Sequence, residues 1–350
     1  MGNATNEKVR VLVVDDSAIY RLVVRKVLDK IDSCEFVGKA EDGESALNQI
    51  SELKPDLITL DIEMPGISGI EVLREIQNRG HKSKVIVLSK HTAAGAQVSI
   101  DALMEGAMDV ICKPSLKSPA ENEQYLYQEL APRIDALRPQ EKRLSKDSEF
   151  VPAKSTDWSC SLVLIGSSTG GPEVLRQILS EVPADFPLPI VIVQHIPSAF
   201  SASLAKRLDG ICNLNVVEIA SGMPLEFGHA YVAPGGRHTK LVPGQNRVLF
   251  ELTDDPPENN CRPSVDYTLR SATELFSEQV LAVILTGMGR DGLKSCQELS
   301  VAGGRVIAQG ADDCTVYGMP KAVIEAGLAN RVSSIDQMVN SISNQLKNST

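Results

Sequence analysis

The sequence predicts an α/β protein built from two doubly wound parallel-sheet domains. Short apolar runs rich in Val and Ile alternate with longer amphipathic stretches, a pattern typical of parallel strands that helices cover on both faces. The chain has 350 residues, which suits two domains of roughly 150 residues each. A charged stretch with two prolines interrupts the alternation at residues 139–157, and we interpret it as a linker.

The first domain, at residues 8–138, is predicted to contain five strands. The apolar runs that predict them are Val9–Val14, the weaker Glu35–Val37, Leu57–Leu60, Val85–Leu88 and Val110–Cys112. Apolar side chains spaced three and four residues apart predict helices between these runs. The first helix is expected to bury Ile19, Leu22, Val23, Val27 and Ile31, and the last to bury Leu126, Leu130, Ile134 and Leu137.

The second domain, at residues 158–348, resumes the alternation and adds a β-hairpin. Its predicted strands are Leu162–Ile165, Ile190–Val193, Val216–Ile219, Ala282–Leu285 and Arg305–Ala308. The hairpin is expected around Gly244-Gln245-Asn246, with arms at His238–Val242 and Val248–Leu252. A closing helix is predicted by apolar residues at helical spacing, namely Ile335, Met338, Val339, Ile342 and Leu346.

Composition argues against several classes of protein. The net charge of −10 disfavours sequence-independent attraction to nucleic acid. The sequence has no apolar run of about 18 residues, so we expect no membrane insertion. Its polar first residues lack the apolar core of an export signal. The seven cysteines are scattered and form no C-x-x-C pair, so we expect reduced thiols in a cytoplasmic protein.

Polar side chains end four strands of the first domain. Asp15 and Asp16 follow the first strand, Asp61 the third, Ser89 the fourth and Lys113 the fifth. The carboxyl ends of parallel strands meet at one edge of the sheet, so these side chains are expected to share a crevice.

This crevice suits phosphoryl transfer to a carboxylate. Three carboxylates repel one another unless a hard cation such as Mg²⁺ lies between them, while a lysine and a hydroxyl can bind a phosphoryl group. The alternative is structural: Asp15 and Asp16 cap the next helix, and Asp61 forms an ion pair with Lys113. The presence of all these residues at the right strand ends favours the phosphoryl site.

The second domain opens with a Gly-rich turn. Gly166-Ser167-Ser168-Thr169-Gly170-Gly171 follows an apolar strand, and Pro172 suits the first turn of a helix. The turn could cradle a phosphate at a helix N-terminus, or present Ser168 as a nucleophile, because it matches G-x-S-x-G. An ordinary Gly-rich connection is the third interpretation.

Two later segments favour the nucleophile. His195 ends the strand at Ile190–Val193, and Asp291 lies in the Gly-rich turn after the strand at Ala282–Leu285. Serine, histidine and aspartate at neighbouring strand ends are what a nucleophile, its base and an orienting carboxylate require. The order Ser, His, Asp differs from that of α/β-hydrolases, and the glycine spacing does not match a dinucleotide site.

The first domain resembles the receiver domain of two-component response regulators over residues 8–138. The resemblance implies a flavodoxin-like fold in which Asp61 accepts a phosphoryl group from a histidine kinase. It also implies that Mg²⁺ is held by Asp15, Asp16, Asp61 and the backbone carbonyl of Glu63, and that Ser89 and Lys113 contact the phosphoryl group. One position departs from the receiver pattern, because Val110 stands where Phe or Tyr is common.

The second domain is similar to the catalytic domain of the CheB family of chemotaxis protein-glutamate methylesterases over residues 160–346. The segments that carry this resemblance are Gly166–Gly171, Gln194–Pro197, Tyr231–Gly235, Arg262–Asp266, Leu285–Gly292 and Tyr317–Pro320. The resemblance implies phosphorylation-activated hydrolysis of glutamate methyl esters on the cytoplasmic helices of chemoreceptors, and deamidation of receptor glutamines.

In that family mechanism, Ser168 attacks, His195 is the base and Asp291 orients the imidazole. The backbone N–H groups of Thr169 and Met288 are our candidates for the oxyanion hole. No cofactor is expected in the esterase site. The contrasting class is a binding module, in which the receiver's partner domain only docks a receptor or holds a nucleotide; methanol release from methylated receptors discriminates between the two classes.

Overall fold

The computed structural model describes residues 7–90, 92–115, 118–138 and 158–347. It divides into two compact units, one within Met1–Ser145 and the other within Lys146–Thr350. Each unit has its own parallel sheet, so the predicted fold class is confirmed. The predicted linker at residues 139–157 lies outside the described residues, and the domain limits remain predictions.

The first unit has a five-stranded parallel sheet in the order β2-β1-β3-β4-β5. Four helices connect the strands and a fifth follows β5. The strands are β1 (Val9–Val14), β2 (Cys34–Ala40), β3 (Leu57–Asp61), β4 (Lys84–Ser89) and β5 (Asp109–Cys112). The helices are α1 (Ala18–Leu28), α2 (Gly43–Leu53), α3 (Gly69–Asn78), α4 (Ala93–Met104) and α5 (Pro119–Ala136).

The buried face of α1 differs from the prediction. Val27 and Ile31 are buried, as expected, but Ile19 is 74% exposed and Leu22 55% exposed. Val24 and Leu28 join the buried face instead, which rotates it by about 100°, the angle that separates consecutive residues of a helix. Two apolar stripes overlap on this helix, and packing against the rest of the unit selects between them.

The second unit has a seven-stranded parallel sheet in the order β14-β13-β12-β6-β7-β9-β8. The strands are β6 (Leu162–Ser167), β7 (Ile190–Gln194), β8 (Asn215–Glu218), β9 (His229–Val232), β12 (Val280–Ile284), β13 (Arg305–Gln309) and β14 (Arg331–Ser333). The helices are α6 (Gly171–Glu181), α7 (Ser198–Asp209), α8 (Val265–Phe276), α9 (Leu293–Ala302), α10 (Met319–Glu325) and α11 (Ile335–Lys347).

The predicted hairpin is present as β10 (His238–Pro243) and β11 (Val248–Thr253), which pair antiparallel. Two strands of the sheet were not predicted, β9 and β14. Strand β14 has only three residues, and β9 has three consecutive buried residues after His229. Runs this short give too little periodicity to distinguish a strand from a loop.

Trp158 anchors the start of the second unit. It is buried, its indole Nε1 donates to the carbonyl of Glu278 at 2.6 Å, and the guanidinium of Arg305 lies 4.4 Å from the ring centre. The structure links none of the seven cysteines, all of which lie among its described residues, by a disulfide. No helix in the described ranges is long and apolar enough to cross a membrane.

The core of the second unit contains one hydrogen-bonded tyrosine. Tyr231 is 1% exposed and its ring centre lies 4.8 Å from that of Phe250. Its hydroxyl donates to the carbonyl of Pro224 at 3.0 Å and accepts from the N–H of Glu226 at 2.9 Å. Removal of the hydroxyl therefore leaves a backbone donor and an acceptor without their partner.

We expect Tyr231→Phe to lower the free energy of unfolding of the second unit by about 1–3 kcal/mol, the cost of leaving buried polar groups unpaired. Trp158 is the only tryptophan of the chain, so its fluorescence during urea unfolding follows this unit. Tyr127→Phe, at an exposed tyrosine of α5, is the control and should leave the transition in place. An unchanged transition in Tyr231→Phe would show that the hydroxyl contributes nothing.

Candidate active site and phosphoryl-acceptor site

In the first unit, Lys113 lies between two carboxylates. Its Nζ is 2.7 Å from Asp15 Oδ2 and 2.6 Å from Asp61 Oδ2, and all three side chains are buried. Burial raises the pKa of Asp61, and the hydrogen bond from Lys113 offsets only part of that effect. One lysine therefore faces two buried carboxylates, which leaves an excess of negative charge in the crevice.

The same crevice has the oxygen ligands that a hard cation requires. Carboxylate oxygens of Asp15, Asp16 and Asp61 lie within 4.8 Å of one another, and Asp16 is exposed to solvent. The N–H of Glu63 donates to Asp61 Oδ1 at 3.2 Å, while the Glu63 carboxylate is paired with Lys90 at 2.9 Å. The Glu63 side chain is engaged in this ion pair, so the backbone carbonyl is the Glu63 oxygen that remains a candidate metal ligand.

Ser89 and Tyr20 complete the surroundings of Lys113. Ser89 is buried at the end of β4, and its hydroxyl lies 3.3 Å from the carbonyls of Lys90 and Gly95. The ring of Tyr20 lies 4.7 Å from Lys113 Nζ, and its hydroxyl donates to the carbonyl of Pro114 at 3.0 Å. Sequence reasoning missed Tyr20, because nothing in the spacing of α1 indicates a contact with the segment that follows β5.

In the second unit, two adjacent serines at the end of β6 have different environments. Ser167 is buried and its hydroxyl donates to Gln194 Oε1 at 2.6 Å. Ser168 is half-buried, and its backbone N–H donates to the carbonyl of Thr286 at 3.0 Å. Gln194 Nε2 donates to the carbonyl of Ser168 at 2.9 Å. These bonds fix the turn and leave Ser168, the less buried of the two serines, as the candidate nucleophile.

The structure brings His195 and Asp291 together. His195 Nε2 lies 2.8 Å from Asp291 Oδ2, and the His195 backbone N–H donates to the Ser167 carbonyl at 3.0 Å. Because a carboxylate only accepts hydrogen bonds, Nε2 carries a proton, and in the neutral imidazole Nδ1 has the lone pair. Nδ1 lies 3.5 Å from Cys261 Sγ. Within the described part of the chain, no hydrogen bond joins Ser168 Oγ to His195.

Asp291 is bound by the N-terminus of α8. Its carboxylate accepts from the backbone N–H groups of Val265 at 2.7 Å and Asp266 at 3.1 Å, and from the Ser264 hydroxyl at 2.8 Å. Asn259 Nδ2 donates to the same carboxylate and to Asp266, at 2.8 Å each. A helix N-terminus favours an anion, so this arrangement stabilises the ionised form of Asp291.

Sequence reasoning gave no role to Asn259 or Ser264. Ser264 has a visible signal, because it is an N-cap serine directly before the apolar stretch of α8. Asn259 has none, because its contact with Asp291 spans 32 residues of sequence.

Charge in this cluster shifts two pKa values in opposite directions. Burial alone would raise the pKa of Asp291, but the hydrogen bond and charge of His195 outweigh it and hold that pKa well below its usual range. Burial alone would lower the pKa of His195, but the hydrogen bond with Asp291 outweighs it and raises that pKa well above 6.5. The pair therefore favours imidazolium and carboxylate, the charge state that follows proton uptake by His195.

The two oxyanion candidates lie beside Ser168. Among the described residues, none accepts a hydrogen bond from the Met288 N–H. A methyl group placed on Gly287 would lie 2.7 Å from Ser168 Cβ, so the Gly287–Met288 peptide lies close to Ser168. The Ser168 carbonyl accepts from Gln194 Nε2 at 2.9 Å and from the Gly171 N–H at 2.8 Å, which fixes the peptide that carries the Thr169 N–H. Their roles remain predictions.

Both parts of the chain match known families. The family model described as CheB methylesterase matches residues 163–342, and the one described as response regulator receiver domain matches residues 11–121. A protein of Desulfotalea psychrophila named protein-glutamate methylesterase/protein-glutamine glutaminase is 40% identical over 97% of this chain and 99% of its own length. A protein of the same name from Thermotoga maritima is 42% identical over 94% of this chain and 96% of its own length.

A solved structure agrees with the second unit. The crystal structure of the Thermotoga maritima CheB methylesterase catalytic domain has a TM-score of 0.52 and 44% identity, and the match covers 53% of this chain and 98% of that one. With a family model over the second unit, another over the first and relatives that match nearly the full length, the chain belongs to the CheB methylesterase family and carries a receiver domain ahead of the catalytic domain.

Proposed function

We propose that this enzyme hydrolyses glutamate methyl esters on chemoreceptors and that phosphorylation of Asp61 activates it. The observation that carries the esterase part is the His195–Asp291 pair, held by α8 at the sheet edge where the half-buried Ser168 lies. An ordinary Gly-rich connection would not need a buried, fully bonded carboxylate opposite a histidine. A binding module would not need one either.

The first half of the reaction acylates Ser168. Its hydroxyl oxygen attacks the ester carbonyl while His195 Nδ1 takes the proton, and His195 then returns that proton to the departing methanol. Asp291 holds the imidazole with its proton on Nε2 and stabilises the imidazolium. The N–H groups of Met288 and Thr169 stabilise the developing oxyanion, each by roughly 3–4 kcal/mol when well aimed.

The second half releases the receptor glutamate. Water, activated by His195, attacks the acyl group on Ser168 and regenerates the serine. An amide can follow the same course with ammonia as the leaving group, so deamidation of a receptor glutamine is compatible with these residues. The name of the relatives, which joins methylesterase and glutaminase, supports this second activity.

In the receiver, Asp61 accepts the phosphoryl group from a histidine kinase. Lys113, now paired with Asp61 at 2.6 Å, would pair with the phosphoryl oxygens, and Ser89 would donate to them. Asp15, Asp16, Asp61 and the Glu63 carbonyl would hold Mg²⁺, which would neutralise the negative charge of the carboxylates and the phosphoryl group. The excess negative charge of the crevice fits a divalent cation.

These partners define where the protein works. The substrate is the cytoplasmic domain of a chemoreceptor, the phosphodonor is a kinase, and both place the enzyme in the cytoplasm, where it contributes to adaptation in chemotaxis. Neither nucleic acid nor insertion into a membrane enters the reaction.

Ser168→Ala should lower methanol release from methylated receptor membranes by at least about a thousandfold, because the acyl-enzyme cannot form. The matched control is Ser300→Ala, at an exposed serine of α9, which should keep the wild-type rate. Urea unfolding followed by Trp158 fluorescence checks that both variants are folded. Release within about tenfold of wild type in folded Ser168→Ala would exclude Ser168 as the nucleophile.

The esterase should gain activity as the pH rises, and the acidic limb of its pH–rate profile should lie well above 6.5. His195 acts as a base only after Nδ1 loses its proton, and the negative charge of Asp291 stabilises the protonated ring. Asp291→Asn removes that negative charge, so the limb should move to lower pH while the maximal rate falls by up to about 10⁴-fold. Measurement of kcat/KM for methanol release between about pH 5 and pH 10 tests both. Asp312→Asn, at an exposed carboxylate, should leave the limb in place.

Acetyl phosphate with Mg²⁺ should raise the esterase rate of the full chain by roughly 5–150-fold, the usual range of allosteric coupling. Asp61→Asn should abolish this stimulation, and so should EDTA, whereas Asp32→Asn, at an exposed carboxylate, should preserve it. Undiminished stimulation of Asp61→Asn would place the phosphoryl acceptor elsewhere.

A further inference from the structure

The base of the esterase site faces a second nucleophile. Cys261 Sγ lies 3.5 Å from His195 Nδ1, and Asp291 lies 2.8 Å from His195 Nε2 on the opposite side of the ring. Thiol, imidazole and carboxylate thus lie in the spatial order in which a histidine, oriented by a carboxylate, activates a cysteine by taking its proton. In the neutral imidazole, the nitrogen that faces the thiol is the one with the lone pair, because Asp291 holds the remaining proton on Nε2.

Hydrogen bonds and an ion pair hold the turn that contains Cys261 in place. Cys261 and Glu258 exchange backbone hydrogen bonds of 2.9 and 3.1 Å across a tight turn, and Arg270 pairs with the Glu258 carboxylate at 2.5 Å. Within that turn, Asn259 donates to Asp291 itself at 2.8 Å. The segment that carries the thiol is therefore tied to the carboxylate that orients the imidazole.

Ser168 and Cys261 compete for one lone pair. In the described structure the hydrogen-bond contact at Nδ1 is the thiol, and the Ser168 hydroxyl makes none with the ring. Ester hydrolysis needs Nδ1 to accept the serine proton. A group added to the sulfur would lie against Nδ1 and block that transfer.

We infer that Cys261 is a modification site, at which hydroperoxides and soft alkylating electrophiles react and thereby switch the esterase off. With hydrogen peroxide, the sulfur attacks one oxygen, the O–O bond breaks and a sulfenic acid forms. The thiol proton passes through His195 Nδ1 to the second oxygen, which leaves as water. The sulfur is oxidised and the peroxide is reduced. A thiol reductant reverses the change.

The chain supplies its own reference thiols. Cys212 and Cys314 are, like Cys261, partly exposed. Burial raises the pKa of Cys212 to about 11 and that of Cys314 to about 12. Both are expected to remain thiols at neutral pH and to react slowly.

The first test measures reactivity without reference to the esterase. The folded full chain is treated with iodoacetamide, and the rate of alkylation at each cysteine is followed by peptide mass spectrometry. We expect the alkylation of Cys261 to be at least about tenfold faster than that of Cys212. We expect His195→Ala to lower the alkylation rate of Cys261 by about tenfold and to leave that of Cys212 unchanged. An equal rate at Cys261 and Cys212, or no effect of His195→Ala, would overturn the inference.

The second test measures the switch and rests on the proposed esterase function. Wild type, Cys261→Ala and Cys261→Ser are each treated with hydrogen peroxide, and methanol release is expressed relative to the untreated form of the same variant. Wild type should lose most of its activity and recover it with dithiothreitol, whereas both variants should keep theirs. Equal loss in wild type and variants would place the sensitive group elsewhere. Failure of the esterase assignment would appear in Ser168→Ala and leave the alkylation result standing.

Discussion

The strands of a parallel sheet all run in the same direction, so their carboxyl ends lie at the same edge. Between two such strands the chain must return to the opposite edge through a connection, here usually a helix. This constraint organises both units. It brings Asp15, Asp61 and Lys113 within ion-pair distance from three separate strands. It also places Ser168, His195 and Asp291 beyond the ends of β6, β7 and β12, three neighbours in one sheet. The topology of each sheet therefore brings residues that are far apart in sequence to one edge, where contacts such as Lys113–Asp61 and His195–Asp291 then form.

Charge then decides how each edge behaves. In the receiver, burial raises the pKa of Asp61 and a single lysine only partly compensates, so the crevice is suited to additional positive charge. In the catalytic unit the compensation comes from within the site, because Asp291 accepts hydrogen bonds from Ser264 and the first residues of α8 and pairs with His195, whose charge keeps its pKa low. The same topology therefore gives one edge that is suited to a metal and a phosphoryl group and another that is suited to a neutral nucleophile.

The sequence predicted what topology determines and missed what packing determines. Residues at strand ends were identified because apolar runs locate the strands, and because the carboxyl ends of parallel strands share one edge of the sheet. The exposed positions of Ile19 and Leu22 were not predicted, because two overlapping stripes on α1 satisfy the same periodicity. Asn259 could not be found either, since its amide reaches Asp291 from a turn that no strand or helix places.

The orientation of one imidazole links these observations. Asp291 occupies Nε2, so the only nitrogen that can take a proton is Nδ1, and two side chains depend on it. The Cys261 turn is tied to Asp291 through Asn259, whereas Ser168 belongs to a turn fixed by Gln194 and Thr286. The backbone of His195 is tied to the serine turn, because its N–H donates to the Ser167 carbonyl, while its ring is tied to the carboxylate that the Cys261 turn also contacts. A shift of the Cys261 turn against the serine turn would therefore change which side chain lies nearest Nδ1, so the contacts that orient the imidazole also set the competition between Ser168 and Cys261.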